Sequence, residues 1–240
     1  APNLTIEGNL SEIKNKSVKD FTIESIDPNG RKKNIKVGEN GNFLLNANKG
    51  IWKLIIKNKS LNREKIKVVN IKHAPVKLIN IITTGKEFPP NDKTVVENFD
   101  WIKYSSLEKI PNGHLGLKWD YLLAMNNKKI SGPGYINVLN SGHGIGYSSS
   151  GHPVIIKAFQ GKTFDFVGGY FTVGWGKANG EKLKIEAFRN GKLILKDELK
   201  LSHFGPKWLE ADIRRIDKLI LSTDHYWQFA AEDLHFRIPN

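Results

Sequence analysis

The chain has 240 residues, 39% of them apolar and 10% aromatic, which is enough to build one large or two small packed cores and excludes an intrinsically disordered chain. It contains no cysteine, which excludes disulfide staples, thiolate metal sites and a cysteine nucleophile. Its net charge of +13 predicts weak attraction to anionic surfaces. The lysines are scattered rather than set in a stripe, no groove-entering element is present for specific nucleic-acid recognition, and no apolar run is long enough for a transmembrane helix.

The first residues, Ala1-Pro2-Asn3, lack an initiator Met and a charged-then-apolar leader, as a mature secreted protein does after cleavage behind a small residue. The expected localisation is secreted and extracellular. From residue 3 to 83, short β-rich runs (Leu4–Ile6, Phe21–Ile26, Asn34–Val37, Phe43–Leu45, Ile51–Ile56, Ile66–Val69, Val76–Ile79) alternate with turn signals such as Asn29-Gly30, Asn40-Gly41 and Lys49-Gly50. Strands at this spacing predict a small antiparallel sandwich over residues 1–84. Glu39-Asn40-Gly41-Asn42-Phe43 followed by Gly50-Ile51-Trp52-Lys53-Leu54 resembles the immunoglobulin-like, transthyretin-like or carboxypeptidase-regulatory-like domains of secreted proteins. That resemblance implies a scaffold or spacer and brings no functional residue with it.

Residues 85–96 contain Pro89-Pro90 among polar residues, which disfavours helix and central strand and predicts a linker. Composition changes across it. Of the 24 aromatic residues only Phe21, Phe43 and Trp52 lie in the first 85 positions, which carry 16 Lys and Arg against 7 Asp and Glu. The front reads as a basic carrier and the back as the working surface.

Residues 97–240 read again as β, with runs at Gly116–Trp119, Val154–Phe159, Phe164–Val167, Tyr170–Trp175, Leu183–Phe188, Leu193–Leu195, Leu219–Leu221 and Leu234–Phe236. Asn190-Gly191 marks a two-residue hairpin turn. Asp120–Met125 suits a turn or two of helix, Trp208–Lys218 is assigned to strand despite its good helix formers, and Gly132–Gly151 reads as a long Gly-rich connection. The fold class is therefore all-β, a small sandwich followed by a larger jelly-roll β-sandwich. The order Asn98-Phe99-Asp100, Ile110-Pro111-Asn112-Gly113-His114-Leu115-Gly116-Leu117-Lys118-Trp119, Phe164-Asp165-Phe166 and Glu232-Asp233-Leu234-His235-Phe236 resembles a family of secreted bacterial and fungal β-sandwich domains. His114 stands where that family usually has Tyr, and Glu232 where it often has Asp. The resemblance implies a jelly roll similar to carbohydrate-binding modules, without a settled catalytic role.

A sugar site needs flat aromatic faces and a few polar fingers. Trp119, Tyr121, Tyr135, Tyr147, Trp175, Tyr226 and Trp227 lie in turn-like contexts and are the expected ligand-binding residues, whereas Phe99, Phe164, Phe166 and Phe188 alternate with polar residues as core positions do. The expected partner is a glycan or a cell-surface protein. Glu97 and Asp233, on the first and last strands of the second domain, resemble the carboxylates with which jelly-roll modules clamp a structural calcium; otherwise no cofactor is expected. Ser141-Gly142-His143 and Ser150-Gly151-His152 place hydroxyls beside imidazoles, so a hydrolase stands as the alternative, although no Gly-x-Ser-x-Gly elbow and no motif-placed acid accompany them. No residue is assigned as catalytic. A protein-interaction effector using the same aromatics is the third reading.

Overall fold

A computed structural model describes residues 3–10, 18–81, 87–103, 106–126, 128 and 131–240. Residues 84–86, where the first domain was expected to end and the linker to begin, lie outside these. The chain divides into two compact units, residues 1–87 and 88–240, and is all-β in both.

Unit 1 holds two small sheets. One has the order β3 (Lys32–Ile35), β2 (Phe21–Ile26), β5 (Gly50–Asn58), β6 (Arg63–Ile71), all antiparallel. The other centres on β1 (Thr5–Asn9), with β4 (Asn42–Asn46) antiparallel on one side and β7 (Val76–Leu78) on the other. The β1–β7 ladder is parallel, Ile6 opposite Val76, so the sandwich is not purely antiparallel as expected. Strict alternation sorts the chain by face: in β5, Trp52, Leu54 and Ile56 are buried while Ile51, Lys53 and Lys57 are exposed.

Unit 2 is a β-sandwich of jelly-roll class. A five-stranded sheet runs β10 (Leu117–Asp120), β13 (Val154–Ala158), β18 (Lys218–Thr223), β15 (Lys182–Arg189), β16 (Lys192–Lys200). The other sheet runs β17 (Lys207–Ile216), β14 (Phe164–Val173), β19 (Phe229–Ile238), β12 (Gly144–Ser148), β11 (Leu122–Asn126), β9 (Leu107–Lys109). The strand β8 (Lys93–Glu97) also pairs with β19, further along it than β12 does. Phe164 and Phe166 of β14 and Trp119 of β10 all meet Phe236 of β19 in the core, the indole edge-on at 5.7 Å.

Three expectations change here. Lys93–Glu97 of the expected linker is strand, and Phe88–Asn91 is bound into unit 2: Arg214 and Arg215 donate to the carbonyls of Phe88, Pro89 and Pro90, and Asn91 donates twice to the buried Asp165. Asp120–Met125 forms no helix, because Tyr121 takes a left-handed φ of 63° and separates β10 from β11. The Gly-rich stretch contains a short helix, Pro133–Asn137, and the buried strand β12. Its glycines are there for close approach: a Cβ on Gly144 would lie 2.0 Å from the Phe99 carbonyl oxygen, and one on Gly146 2.5 Å from the Phe99 ring. The Asn190-Gly191 turn is as read, with φ of 50° and 71°.

Candidate functional site

The strand register brings several connections of unit 2 to one end. Val173 of β14 pairs with Phe229 of β19, Tyr147 of β12 with Ala230, Leu122 of β11 with Ser148, Phe171 with Lys207 of β17, and Leu183 of β15 with Thr223 and Leu199. The segments 174–181, 201–206, 224–228, 149–153 and residue 121 therefore share that end. The Pro133–Asn137 helix joins them, with Gly134 N donating to the Gly174 carbonyl.

Contacts between these segments order their side chains into a strip. Phe204 stacks on His203, ring centroids 3.8 Å apart. His203 accepts at its carbonyl from Asn137 Nδ2, donates its N–H to Asn179 Oδ1, and lies about Gly176. Trp175 precedes that glycine and donates Nε1–H to Gln228 Oε1 at 3.2 Å. Trp227 and Tyr226 follow along the chain, and Tyr226 lies against Gly151, where a Cβ would sit 1.7 Å from the Tyr226 carbonyl oxygen. His152, next to Gly151, packs on Tyr121 at 4.9 Å. The strip thus runs Phe204, His203, Trp175, Gln228, Trp227, Tyr226, His152, Tyr121.

Exposure separates this strip from the core. Phe204 is 75% exposed, Tyr226 71%, Tyr121 52%, Trp175 39% and Trp227 36%. Trp119 at 5%, Tyr135 at 1% and Tyr147 at 7% are core residues and not ligand-facing ones. Trp119 donates Nε1–H to the His114 carbonyl. Tyr147 lies on β12 with its ring against Tyr135. Burial raises both tyrosine hydroxyls above their ordinary range, so each remains a neutral donor. Tyr135 supports the strip from beneath: its ring stands edge-on to Trp175 at 5.6 Å and its hydroxyl donates to Gln228 Oε1 at 2.6 Å. Phe204, His203 and Gln228 were missed in the sequence because a single aromatic in Ser-His-Phe-Gly-Pro carries no periodic signal; only the fold puts it beside Trp175.

Glu97 and Asp233, the expected calcium clamp, are each engaged within the protein. Glu97 is 1% exposed and uses Oε1 to accept from Phe99 N and Trp101 Nε1 while Oε2 meets His114 Nε2. Asp233 instead accepts from Asn140 Nδ2 at 2.6 Å. Among the described residues, no group of three or more His, Asp and Glu gathers in a way suited to a metal ion.

Of the hydrolase alternative, Ser141 and His143 each bond elsewhere among the described residues. His143 Nε2 faces the Ile102 carbonyl, and Asp100 Oδ1 accepts from His143 N and Gly144 N. Ser141 Oγ donates to Glu232 and Ser148 Oγ accepts from Phe229 N. Asn98-Phe99-Asp100 is therefore a staple that holds the 141–144 segment.

Glu232 is a carboxyl strongly shifted toward neutrality. It is fully buried and accepts from Ser141 N at 2.7 Å and from Asn140 N, and burial pushes it up to about 7 despite these donors, with Asp233 adding to the rise. Tyr170, opposite it in the ladder, is pushed up to about 12 by burial and by the same two carboxylates. Glu232 fastens the loop that follows the Pro133–Asn137 helix, and through that helix bears on the strip.

No family model matches the chain. No curated protein matches it either. Solved structures give loose likenesses. One is the CBM51-2 and INT domains of Clostridium perfringens ZmpB, at 11% identity and TM-score 0.35, covering 98% of this chain and 47% of that one. A second is the CBM22-1–GH10 modules of Clostridium thermocellum xylanase 10B complexed with xylohexaose, at 13% and 0.31, covering 61% and 28%. A third is a DUF3823 family protein from Bacteroides ovatus, at 12% and 0.24, covering 98% of each. The chain spans about half the length of the first of these. Superpositions this loose assign neither a family nor a ligand. Among the described residues, no helix is long and apolar enough to cross a membrane.

Proposed function

We propose that unit 2 is a non-catalytic glycan-binding module whose ligand lies along the strip from Phe204 to Tyr121, with unit 1 as a basic carrier. The observation that supports this reading is the grouping of five exposed aromatic rings on contiguous loops at one end of a sandwich whose other large aromatics are mostly buried. A flat ring presents a face to the C–H groups of a pyranose, and each such contact contributes on the order of 1 kcal/mol. Three engaged rings together with a few hydrogen bonds correspond to dissociation constants of about 10⁻⁴ to 10⁻³ M. The strip rests on interlocked backbone hydrogen bonds, Gly174 N to the Gln228 carbonyl and Ser149 N to the Tyr121 carbonyl, so little ordering is left to oppose binding.

A glycan array with the full chain, followed by calorimetry on the hits, tests this. Binders are expected that Trp175→Ala and Trp227→Ala weaken by about tenfold each. The absence of any glycan bound more tightly than about 1 mM removes the reading. A glycan whose affinity is unaltered by both substitutions places the site elsewhere.

A further inference from the structure

Two polar side-chain groups at the Trp175 end of the strip are donors. Gln228 Oε1 accepts from both Tyr135 Oη at 2.6 Å and Trp175 Nε1 at 3.2 Å. With its carbonyl held from two sides, the amide inverts only by breaking both bonds. Its Nε2 group, which has no acceptor among the described residues, is thereby fixed as a donor beside the Trp175 ring. Lys177, two residues beyond Trp175, is exposed and forms no ion pair among the described residues.

The carboxylates on the same loops are engaged within the protein. Glu181 is 8% exposed; it accepts from Lys182 N and Asp224 N and faces His225 Nδ1 at 2.9 Å. Asp224 pairs with Lys184 at 2.6 Å, which holds its carboxyl below the usual range. Asp120, at the end of β10, pairs with Lys157. A ligand at the Trp175 end of this strip therefore meets aromatic faces, an amide donor and an ammonium group, and the carboxylates of these loops among the described residues, Glu181, Asp224 and Asp120, are each engaged within the protein.

We propose that the strip selects glycans bearing carboxylate groups, of the uronic-acid class, with a sugar ring on Trp175 and the carboxylate received by Gln228 Nε2 and Lys177. This rests on the glycan reading above and adds the ligand's charge to it. Charge-assisted hydrogen bonds are about twice as strong as neutral ones, so the acid and its neutral ester differ enough to measure.

The experiment is calorimetry of the full chain with trigalacturonic acid and with its methyl ester, at an ionic strength of about 0.15 M so that the basic unit 1 contributes little long-range attraction. The acid is expected to bind about tenfold more tightly than the ester. Gln228→Glu keeps an acceptor for Tyr135 and Trp175 but replaces the outward donor with a charged acceptor. It is expected to abolish the preference while leaving the melting temperature close to that of the wild type. Equal binding of acid and ester overturns the selectivity and leaves the glycan reading intact. Binding of neither, with other glycans bound, overturns the proposed class. An acid preference that persists in both Gln228→Glu and Trp175→Ala assigns the effect to general positive charge and overturns the proposal.

Discussion

Trp175 stands edge-on to Tyr135, ring centroids 5.6 Å apart and planes at 88°, one ring 39% exposed and the other 1%. The buried ring and its hydroxyl set the attitude of the exposed one through Gln228. Tyr135→Phe keeps the packing and removes only the hydroxyl. It is expected to lower stability by about 1 kcal/mol, the net value of one buried hydrogen bond, and to weaken glycan binding as the Gln228 amide loses one of its two anchors. Denaturant melts and calorimetry on the same preparation check both effects.

Buried and exposed aromatics should separate cleanly by what they cost. Trp119→Ala empties a core position against Phe236 and is expected to destabilise the protein by about 3–5 kcal/mol. Phe204→Ala, on the surface, should alter stability by no more than about 0.5 kcal/mol while weakening ligand binding. Urea unfolding of the two variants provides the comparison.

Glu232 predicts a pH effect with a definite sign. Its folded-state value of about 7 lies above its ordinary 4.5, so between these the folded chain holds a proton that the unfolded chain has released. Its contribution to stability is therefore fully present below about 4.5, declines as pH rises through the window, and is lost above about 7. The difference in unfolding free energy between wild type and Glu232→Gln, measured from pH 4 to about pH 9, is expected to change in that direction and to be flat above about pH 8. A difference independent of pH would mean that Glu232 titrates in the folded chain as it does in the unfolded one.

Glu97 is expected to act as a buried acceptor rather than a calcium ligand. Glu97→Ala leaves Phe99 N and Trp101 Nε1 without their acceptor and should cost about 1–3 kcal/mol. EDTA should leave the melting temperature of the full chain unchanged, and calcium should not raise it. A fall in EDTA reversed by calcium would restore the metal clamp.

Much of the fold is written locally. Alternation in Phe21–Ile26 and Leu183–Phe188 marks strands with one buried face, and Asn190-Gly191 supplies the backbone its hairpin needs. What escaped a local reading depends on partners distant in sequence. Gly144 and Gly146 look like loop residues until Phe99 is seen lying on them. Tyr147, read as a loop aromatic for that reason, is a strand residue beneath the helix. Lys207–Ile216, assigned to strand from the sequence despite its helix formers, is indeed a strand, held in register by β14. In the site, Tyr121, Trp175, Tyr226 and Trp227 were recognisable as aromatics among turn residues, whereas Phe204 and Gln228 acquire meaning only from the loops that surround them.

The most direct test of the aromatic strip is a proton–nitrogen correlation titration of the full chain with an array-identified glycan, following the indole N–H signals. The six tryptophans give each part of the protein a reporter. The signals of Trp175 and Trp227 should move together with saturation, while those of Trp52 and Trp119 stay in place. Saturable binding that shifts Trp101 or Trp208 and leaves Trp175 and Trp227 unmoved would contradict the account.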